Sequence, residues 1–142
     1  MKVKALDLTK NYPRGPKERL GGYMHLARMI DKARAKAEGI IGDYIYPCPL
    51  DQSLLDFLSI SSEAFYNAAR ERDDREVLVW LKENARAKTS DDIEKWNQEL
   101  LNRRPQNEEA MKHFLEIRNR IAPYRTDVTT WVDLLDLEEG RG

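Results

Sequence analysis

The two side chains best suited to chemistry are those of Cys48, the only cysteine, and His25, one of two histidines. Cys48 stands three residues before Asp51, a predicted helix cap, and a helix N-terminus lowers the pKa of a nearby thiol. These residue types suit nucleophilic or redox chemistry, with His25 as the base for the Cys48 thiol. Asp51 or Asp31 would then orient the histidine. The simpler interpretation, which we favour, is a buried cysteine between two prolines, because free cysteine is among the most buried residue types.

A second chemistry is suggested by the uneven distribution of charge along the chain. Residues 1–36 carry ten Lys or Arg and three Asp or Glu, a net charge of +7, whereas the remaining 106 residues have a net charge of −8. The simpler interpretation is that the basic N-terminal part packs against the acidic remainder, because charge runs usually form a solvated or paired face. The alternative is an anion-binding site on the basic part.

The candidate anion-binding site lies on one predicted helix. At about 100° per residue, His25, Arg28 and Lys32 cluster on one face of it. Asp31 lies one turn from Arg28 and could pair with it. The preceding Gly21-Gly22 pair would let backbone N–H groups approach a ligand closely. We therefore predict a polar site for a small anionic ligand or a protein partner, formed by Tyr23, His25, Arg28, Asp31 and Lys32.

Several other function classes lack a supporting motif. No HxxxH, HExxH or CxxC spacing links the histidines and the cysteine, so no metal site is predicted. The chain has no P-loop, dinucleotide fingerprint or nucleophile elbow, so no cofactor is predicted. The basic residues lack interleaved surface aromatic residues and the rest of the chain is acidic, which argues against nucleic acid as a partner. No apolar run approaches the roughly 20 residues that span a bilayer, which argues against a membrane protein.

The elements that would position these residues are helical. The first helix is predicted from Gly22 to Glu38, with an apolar seam and a stop at Gly39. Six more helices are predicted from cap signals at Asp51, Ser61, Asp73, Ser90, Asn107 and Asp127. A minor β element is predicted near residues 40–46. The fold class is therefore all-α, with six or seven short helices.

The length of 142 residues suits one compact domain. Within it we distinguish an irregular basic arm at residues 1–19, a glycine-rich helix and cysteine loop at residues 20–50, and a helical body at residues 51–138. Two prolines in the arm block regular structure there. The N-terminal sequence lacks the apolar stretch of a secretory signal, so a cytoplasmic location is expected.

Five motifs together resemble a bacterial family that is catalogued only as domain of unknown function 5069. The motifs are Leu20-Gly21-Gly22-Tyr23, His25-Leu26-Ala27-Arg28, Ile30-Asp31-Lys32-Ala33-Arg34-Ala35, Cys48-Pro49-Leu50-Asp51 and Asp127-Val128-Thr129-Thr130-Trp131. The resemblance covers nearly the whole chain. It implies a small cytoplasmic bacterial protein, and it implies no activity.

Three functional hypotheses follow from these residues. The first is a non-enzymatic binding or interaction module with its site near His25, Arg28 and Asp31. The second is a thiol-dependent enzyme or redox protein that uses Cys48 with His25. The third is a scaffold or oligomerising protein without a polar site. The second requires Cys48 and His25 to lie close together, and the first requires charges near Arg28 that remain available to a ligand.

Overall fold

The computed structural model describes residues 3–141, which form seven α-helices and one two-stranded antiparallel sheet. The strands are β1 (Arg19–Leu20) and β2 (Tyr23–Met24). The helices are α1 (Leu26–Ala37), α2 (Pro49–Leu58), α3 (Ser62–Ala69), α4 (Asp74–Asn84), α5 (Ser90–Leu101), α6 (Glu108–Ile121) and α7 (Trp131–Glu138). The predicted all-α fold class with a minor β element is confirmed.

The β element lies at residues 19–24, so its predicted position near residues 40–46 is wrong. Gly21 and Gly22 have φ angles of 58° and 86°, and a two-residue hairpin turn requires such positive values. The turn pairs Leu20 with Tyr23. Because the hairpin uses the two glycines, α1 begins at Leu26 and not at Gly22 as predicted. Residues 40–46 form turns and irregular backbone instead.

The chain divides into two compact units, the first ending at Ser90 and the second beginning at Asp91. In the first unit α1 packs against α3, and every residue of α1 from Leu26 to Ala35 is buried. This run includes charged side chains, which therefore need partners inside the unit. The predicted single domain and its three segments stay a prediction.

The second unit has its own apolar cluster between α6 and α7. Phe114, Val128 and Leu134 are almost fully buried there. The ring of Trp131 meets the Phe114 ring edge-on, with 5.2 Å between the ring centres. These aromatic and aliphatic contacts stabilise the packing of α7 on α6, mainly by removing apolar surface from water.

The predicted starts of α3 and α4 are confirmed by their side-chain caps. Ser61 Oγ accepts a hydrogen bond from the Ala64 backbone N–H at 3.1 Å, at the start of α3. Asp73 and Glu76 form the predicted capping box of α4, because each carboxylate accepts the backbone N–H of the other residue. A short polar side chain three residues before a free N–H was therefore a reliable signal at both positions.

Two other predicted caps are wrong. Cys48 is the N-cap of α2, and Asp51 lies three positions inside the helix, where its carboxylate accepts the Cys48 backbone N–H at 2.9 Å. The proline that follows Cys48 fits the first helical position. A backbone N–H there would have no acceptor within the helix, and proline has none to satisfy. At α7 the cap is Thr130, whereas Asp127 forms an ion pair with Arg125.

The basic arm is packed against the rest of the first unit. Leu8 is buried, and its backbone N–H donates to the Ile40 carbonyl at 2.9 Å. The Pro16 carbonyl accepts the His25 backbone N–H, also at 2.9 Å. The first two residues of the predicted arm lie outside the described residues. Within residues 3–141, no helix is both long and apolar enough to cross a membrane.

Candidate functional site

The starts of α1 and α2 bring four polar side chains together. His25 immediately precedes α1, and Lys32 lies two turns further along that helix. Cys48 and Asp51 occupy the N-cap and the third position of α2. We call these four residues the thiol cluster. The side chains of His25, Lys32 and Asp51 are buried, whereas Cys48 is partly exposed to solvent.

Asp51 is the acceptor at the centre of the thiol cluster. Its Oδ1 lies 2.7 Å from His25 Nε2, and its Oδ2 accepts a hydrogen bond from Lys32 Nζ at 2.6 Å. Burial raises the pKa of the Asp51 carboxyl, but its hydrogen bonds and ion pairs with His25 and Lys32 outweigh burial. The pKa therefore lies well below its usual range, and Asp51 is an anion at neutral pH.

The Cys48 thiol lies beside the ammonium group of Lys32. The distance from Lys32 Nζ to Cys48 Sγ is 3.2 Å. Burial and the negative charge of Asp51 raise the pKa of the thiol. The nearby His25 ring and the positive charge of Lys32 lower it by more, so that the pKa is below its ordinary value. The thiol cluster therefore raises the fraction of Cys48 that is ionised at a given pH.

His25 has an unusual backbone and an unsatisfied ring nitrogen. Its φ angle is 71°, in the left-handed region that costs a non-glycine residue about 1–3 kcal/mol. Because the Asp51 carboxylate is ionised, His25 Nε2 carries the hydrogen of the bond between them. Nδ1 is buried and has no hydrogen-bond partner among residues 3–141. Backbone strain and an unsatisfied buried polar atom are both typical of functional sites.

The thiol cluster also contains three possible metal ligands. One donor atom from each of His25, Cys48 and Asp51 lies within 4.8 Å of the other two. Their residue types predicted a candidate thiol site from the sequence, although no metal-binding motif links these three residues. However, the Lys32 ammonium already contacts the Cys48 sulfur and an Asp51 oxygen. The positive charge that balances these groups is therefore part of the chain, and a metal ion would have to displace it.

Asp31, predicted to pair with Arg28 in the anion-binding site, is held by Arg14 of the basic arm. The Arg14 guanidinium donates to both Asp31 oxygens at 3.0 Å, and its backbone N–H donates at 2.9 Å. Arg14 also reaches Asp74 at 2.7 Å, and Arg34 reaches the same carboxylate at 3.2 Å. Two arginines and two aspartates thus form one network that joins the arm, α1 and α4.

Arg28 and Tyr23 lie in other surroundings. The Arg28 guanidinium lies over the Tyr44 ring, 5.5 Å from its centre, and one of its nitrogens is 3.4 Å from the Arg14 carbonyl oxygen. The Tyr23 ring meets the Phe57 ring edge-on, and burial raises the pKa of its hydroxyl. The five predicted ligand-binding residues therefore divide, with only two of them in the thiol cluster.

Sequence reasoning missed the position of Lys32 beside the thiol and the partnership of Arg14 with Asp74. The first had a usable signal: Lys32 follows His25 by seven residues, or two helical turns, so both face the same neighbour. The second had none, because the sequence does not reveal which acidic residue the arm reaches. Asp74 lies 60 residues from Arg14 along the chain.

Comparisons with known proteins give a family and no activity. A family model described as Domain of unknown function (DUF5069) matches residues 10–141, which is most of the chain. No curated protein matches the sequence. The matched region contains the whole thiol cluster, so this cluster has to be interpreted from its own chemistry.

Proposed function

The chain belongs to the DUF5069 family, and we propose that it uses Cys48 as a reactive thiol, in nucleophilic or redox chemistry. The single observation that carries this proposal is the 3.2 Å contact between Cys48 Sγ and Lys32 Nζ. An ammonium group at this distance stabilises a thiolate, the form in which cysteine attacks an electrophile. The position of Cys48 at the N-terminus of α2 adds to this stabilisation.

Each member of the thiol cluster has a role in this proposal. Lys32 stabilises the negative charge of the thiolate. Asp51 fixes the Lys32 ammonium and the His25 ring, and it accepts the backbone N–H of the nucleophile. His25 keeps a buried ring nitrogen, Nδ1, that has no hydrogen-bond partner among residues 3–141 and is available to the electrophile. The electrophile must be small, because Cys48 is only partly exposed.

We expect this thiol to work in the cytoplasm of a bacterium, as the family resemblance implies. Thiols are kept reduced in that compartment, whereas an oxidising compartment would drive a reactive, partly exposed single cysteine into mixed disulfides. A reactive cysteine without a second cysteine in the chain is therefore consistent with a reducing environment.

The binding module that the sequence favoured has less support from the geometry. Its positive charges have internal partners, because Lys32 pairs with Asp51 and Arg28 stacks on Tyr44. Asp31 is held by Arg14. A small anion would have to compete with these contacts. Binding of an anionic ligand or a protein partner therefore stays a prediction, with less support than the reactive thiol.

The proposal is tested by the rate at which iodoacetamide alkylates Cys48 at neutral pH. We expect the native protein to react at least as fast as the protein unfolded in urea, because the thiol cluster favours the thiolate. A Cys48→Ser variant provides the unlabelled baseline. His25→Ala should slow the reaction, and His113→Ala is the matched control, since His113 is exposed on α6. A thiol that reacts only after unfolding would contradict the proposal.

A further inference from the structure

We propose that Cys48 and Lys32 form a covalent sulfur–nitrogen bridge when the protein meets hydrogen peroxide, and that this bridge protects the thiol and switches it off. The inference rests on the proposed function, because it requires a reactive thiol at Cys48. It adds a modification site, Lys32, and an oxidant class, the hydroperoxides. The geometry that carries it is the position of Lys32 Nζ directly against Cys48 Sγ, with both atoms held by Asp51 and its helix.

Oxidation of this thiol stops at the sulfenic acid only if a second group reacts with the oxidised sulfur. Peroxide converts a thiolate to a sulfenic acid, and further oxidation to the sulfinic and sulfonic acids is irreversible for most proteins. Many redox proteins stop at the first stage because a second cysteine forms a disulfide with the sulfenic sulfur. This chain has one cysteine, so it has no internal partner of that kind.

The backbone offers no alternative at this position. A sulfenic acid can also condense with a backbone nitrogen to form a cyclic sulfenamide. The nitrogen that follows Cys48 belongs to Pro49, which has no N–H to lose. The nitrogen of Cys48 itself donates to Asp51. The side-chain nitrogen that contacts the sulfur is Lys32 Nζ, at 3.2 Å.

The reaction balances when it starts from a Cys48 thiolate beside the Lys32 ammonium, two groups that lie 3.2 Å apart. The Cys48 thiolate attacks one peroxide oxygen, the O–O bond breaks, and a sulfenic acid and hydroxide form. Hydroxide takes a proton from the Lys32 ammonium and becomes water. The free amine then attacks the sulfur, the S–O bond breaks, and a second water leaves with a proton from the nitrogen. Sulfur gives up two electrons to peroxide, and the cluster has the same net charge before and after.

The thiol cluster also favours the bridge to Lys32 over reaction of the oxidised Cys48 with thiols from solution. Lys32 is 3% exposed and is fixed by Asp51 at 2.6 Å, so its amine is held beside the sulfur at high effective concentration. The long side chain of lysine provides the remaining movement. A thiol reductant should reverse the bridge, because a thiolate can attack its sulfur and release the amine.

The test treats the full-length protein with hydrogen peroxide and measures its intact mass. We expect a loss of about 2 Da, which is the loss of two hydrogen atoms, restored by dithiothreitol. Trypsin should no longer cut after Lys32 in the oxidised protein, and tandem mass spectrometry should find the Lys32 and Cys48 peptides joined. A wild-type protein that gains one to three oxygen atoms without losing cleavage at Lys32 would overturn the bridge.

Two variants separate the bridge from general oxidation. Lys32→Arg keeps a positive charge but replaces the amine with a poorly nucleophilic guanidinium, so it should gain oxygen and form no bridge. Lys36→Arg is the matched control, because Lys36 lies on the same helix and contacts the Tyr46 carbonyl instead of the thiol; it should form the bridge as the wild type does. Bridge formation in Lys32→Arg would overturn the assignment to Lys32.

Iodoacetamide labelling of one sample and peroxide treatment of a separate sample of the native protein distinguish the two proposals. Fast labelling of the native thiol together with irreversible oxidation by peroxide would overturn the bridge and leave the proposed function intact. A native thiol that resists both reagents would overturn both. The wild-type measurements stand even if Lys32→Arg does not fold, because the joined peptides identify the bridge directly.

Discussion

At the scale of single residues, Asp51 holds the other members of the thiol cluster together. It is fully buried and accepts hydrogen bonds from His25, Lys32 and the Cys48 backbone. Removal of one member of a buried charge pair leaves the other charge uncompensated, which is far more costly than loss of a surface ion pair. The stability of the first unit and the state of its thiol should therefore depend together on this carboxylate.

The Asp51→Asn variant should be less stable by about 3–5 kcal/mol at neutral pH, because the Lys32 ammonium loses its buried counter-charge. Urea unfolding followed by circular dichroism measures this change. Asp56→Asn is the matched control on the same helix, since Asp56 is exposed and its carboxylate accepts a hydrogen bond from Gln52. An equal effect of the two substitutions would show that Asp51 is not a buried partner.

The contribution of Asp51 should also depend on pH with a definite sign. Its pKa in the folded protein lies below the value of about 3.9 expected in the unfolded chain. The unfolded state therefore binds more protons as the solution becomes acidic, and stability falls as the pH is lowered past that value. We expect the difference between wild type and Asp51→Asn in urea unfolding to shrink from pH 7 to pH 3. A difference that does not change with pH would contradict this.

A third residue-scale prediction concerns zinc. Lys32→Ala removes the cation from a group of three donor atoms that lie within 4.8 Å of one another. A soft, tetrahedral ion such as Zn²⁺ suits histidine, cysteine and carboxylate ligands. We expect this variant to bind zinc more tightly than the wild type, as measured by equilibrium dialysis, and to lose the gain when Cys48→Ser is added. Equal zinc affinity in the wild type and Lys32→Ala would refute the idea that Lys32 replaces a metal.

At the scale of elements, the segment between α1 and α2 positions the thiol. Two glycines in this segment have left-handed backbones, Gly39 with a φ of 71° and Gly42 with a φ of 64°. A Cβ atom at Gly39 would meet nothing within 4 Å, whereas one at Gly42 would lie 2.9 Å from the Leu8 carbonyl oxygen. The arm therefore packs closely on this segment, and only one of the two glycines is needed for that contact.

Gly42→Ala should accordingly destabilise the protein more than Gly39→Ala. Both substitutions place an L side chain in the left-handed region, at a cost of about 1–2 kcal/mol. Gly42→Ala must in addition displace the backbone of the arm at Leu8, because a backbone atom cannot rotate away. Urea unfolding of the two variants side by side measures the difference. Equal losses of stability would show that the arm does not pack as closely as described.

The elements also show what local sequence could and could not predict. Seven helices followed from apolar periodicity and polar caps, and these signals depend on neighbours three or four residues apart. The Gly21-Gly22 hairpin was mistaken for a helix start, since glycine suits both a turn and a helix boundary. Asp51 was predicted to be a helix cap. Its carboxylate does accept a backbone N–H at the N-terminus of α2, but it does so from the third position inside the helix.

At the scale of the whole molecule, the uneven charge of the chain is partly balanced inside the first unit. Arg14 and Arg34 from the basic part meet Asp74, and Lys32 meets Asp51. This is the packing of basic on acidic segments that the charge distribution favoured. The charge pattern predicted the sign of each partner but not the pairs, because these contacts connect residues 19 to 60 positions apart.

Arg14→Ala should release the basic arm, since Arg14 is the group that connects it to both Asp31 and Asp74. We expect trypsin to cut the native variant after Lys10 faster than it cuts the wild type, because a packed arm resists proteolysis. Arg125→Ala is the control, as Arg125 forms an exposed ion pair with a near neighbour. If both variants resist trypsin as the wild type does, Arg14 does not hold the arm.

The pKa of Cys48 in the native protein tests most directly whether Cys48 is a reactive thiol. Thiolate absorbance in the ultraviolet, measured against pH with Cys48→Ser subtracted, gives the pKa of this one thiol in the native protein. We expect a midpoint below the value of about 8.5 of a free thiol, and a higher midpoint in Lys32→Met. A native midpoint at or above that of the unfolded chain, unchanged by Lys32→Met, would contradict the reactive thiol and leave Cys48 as a packing residue.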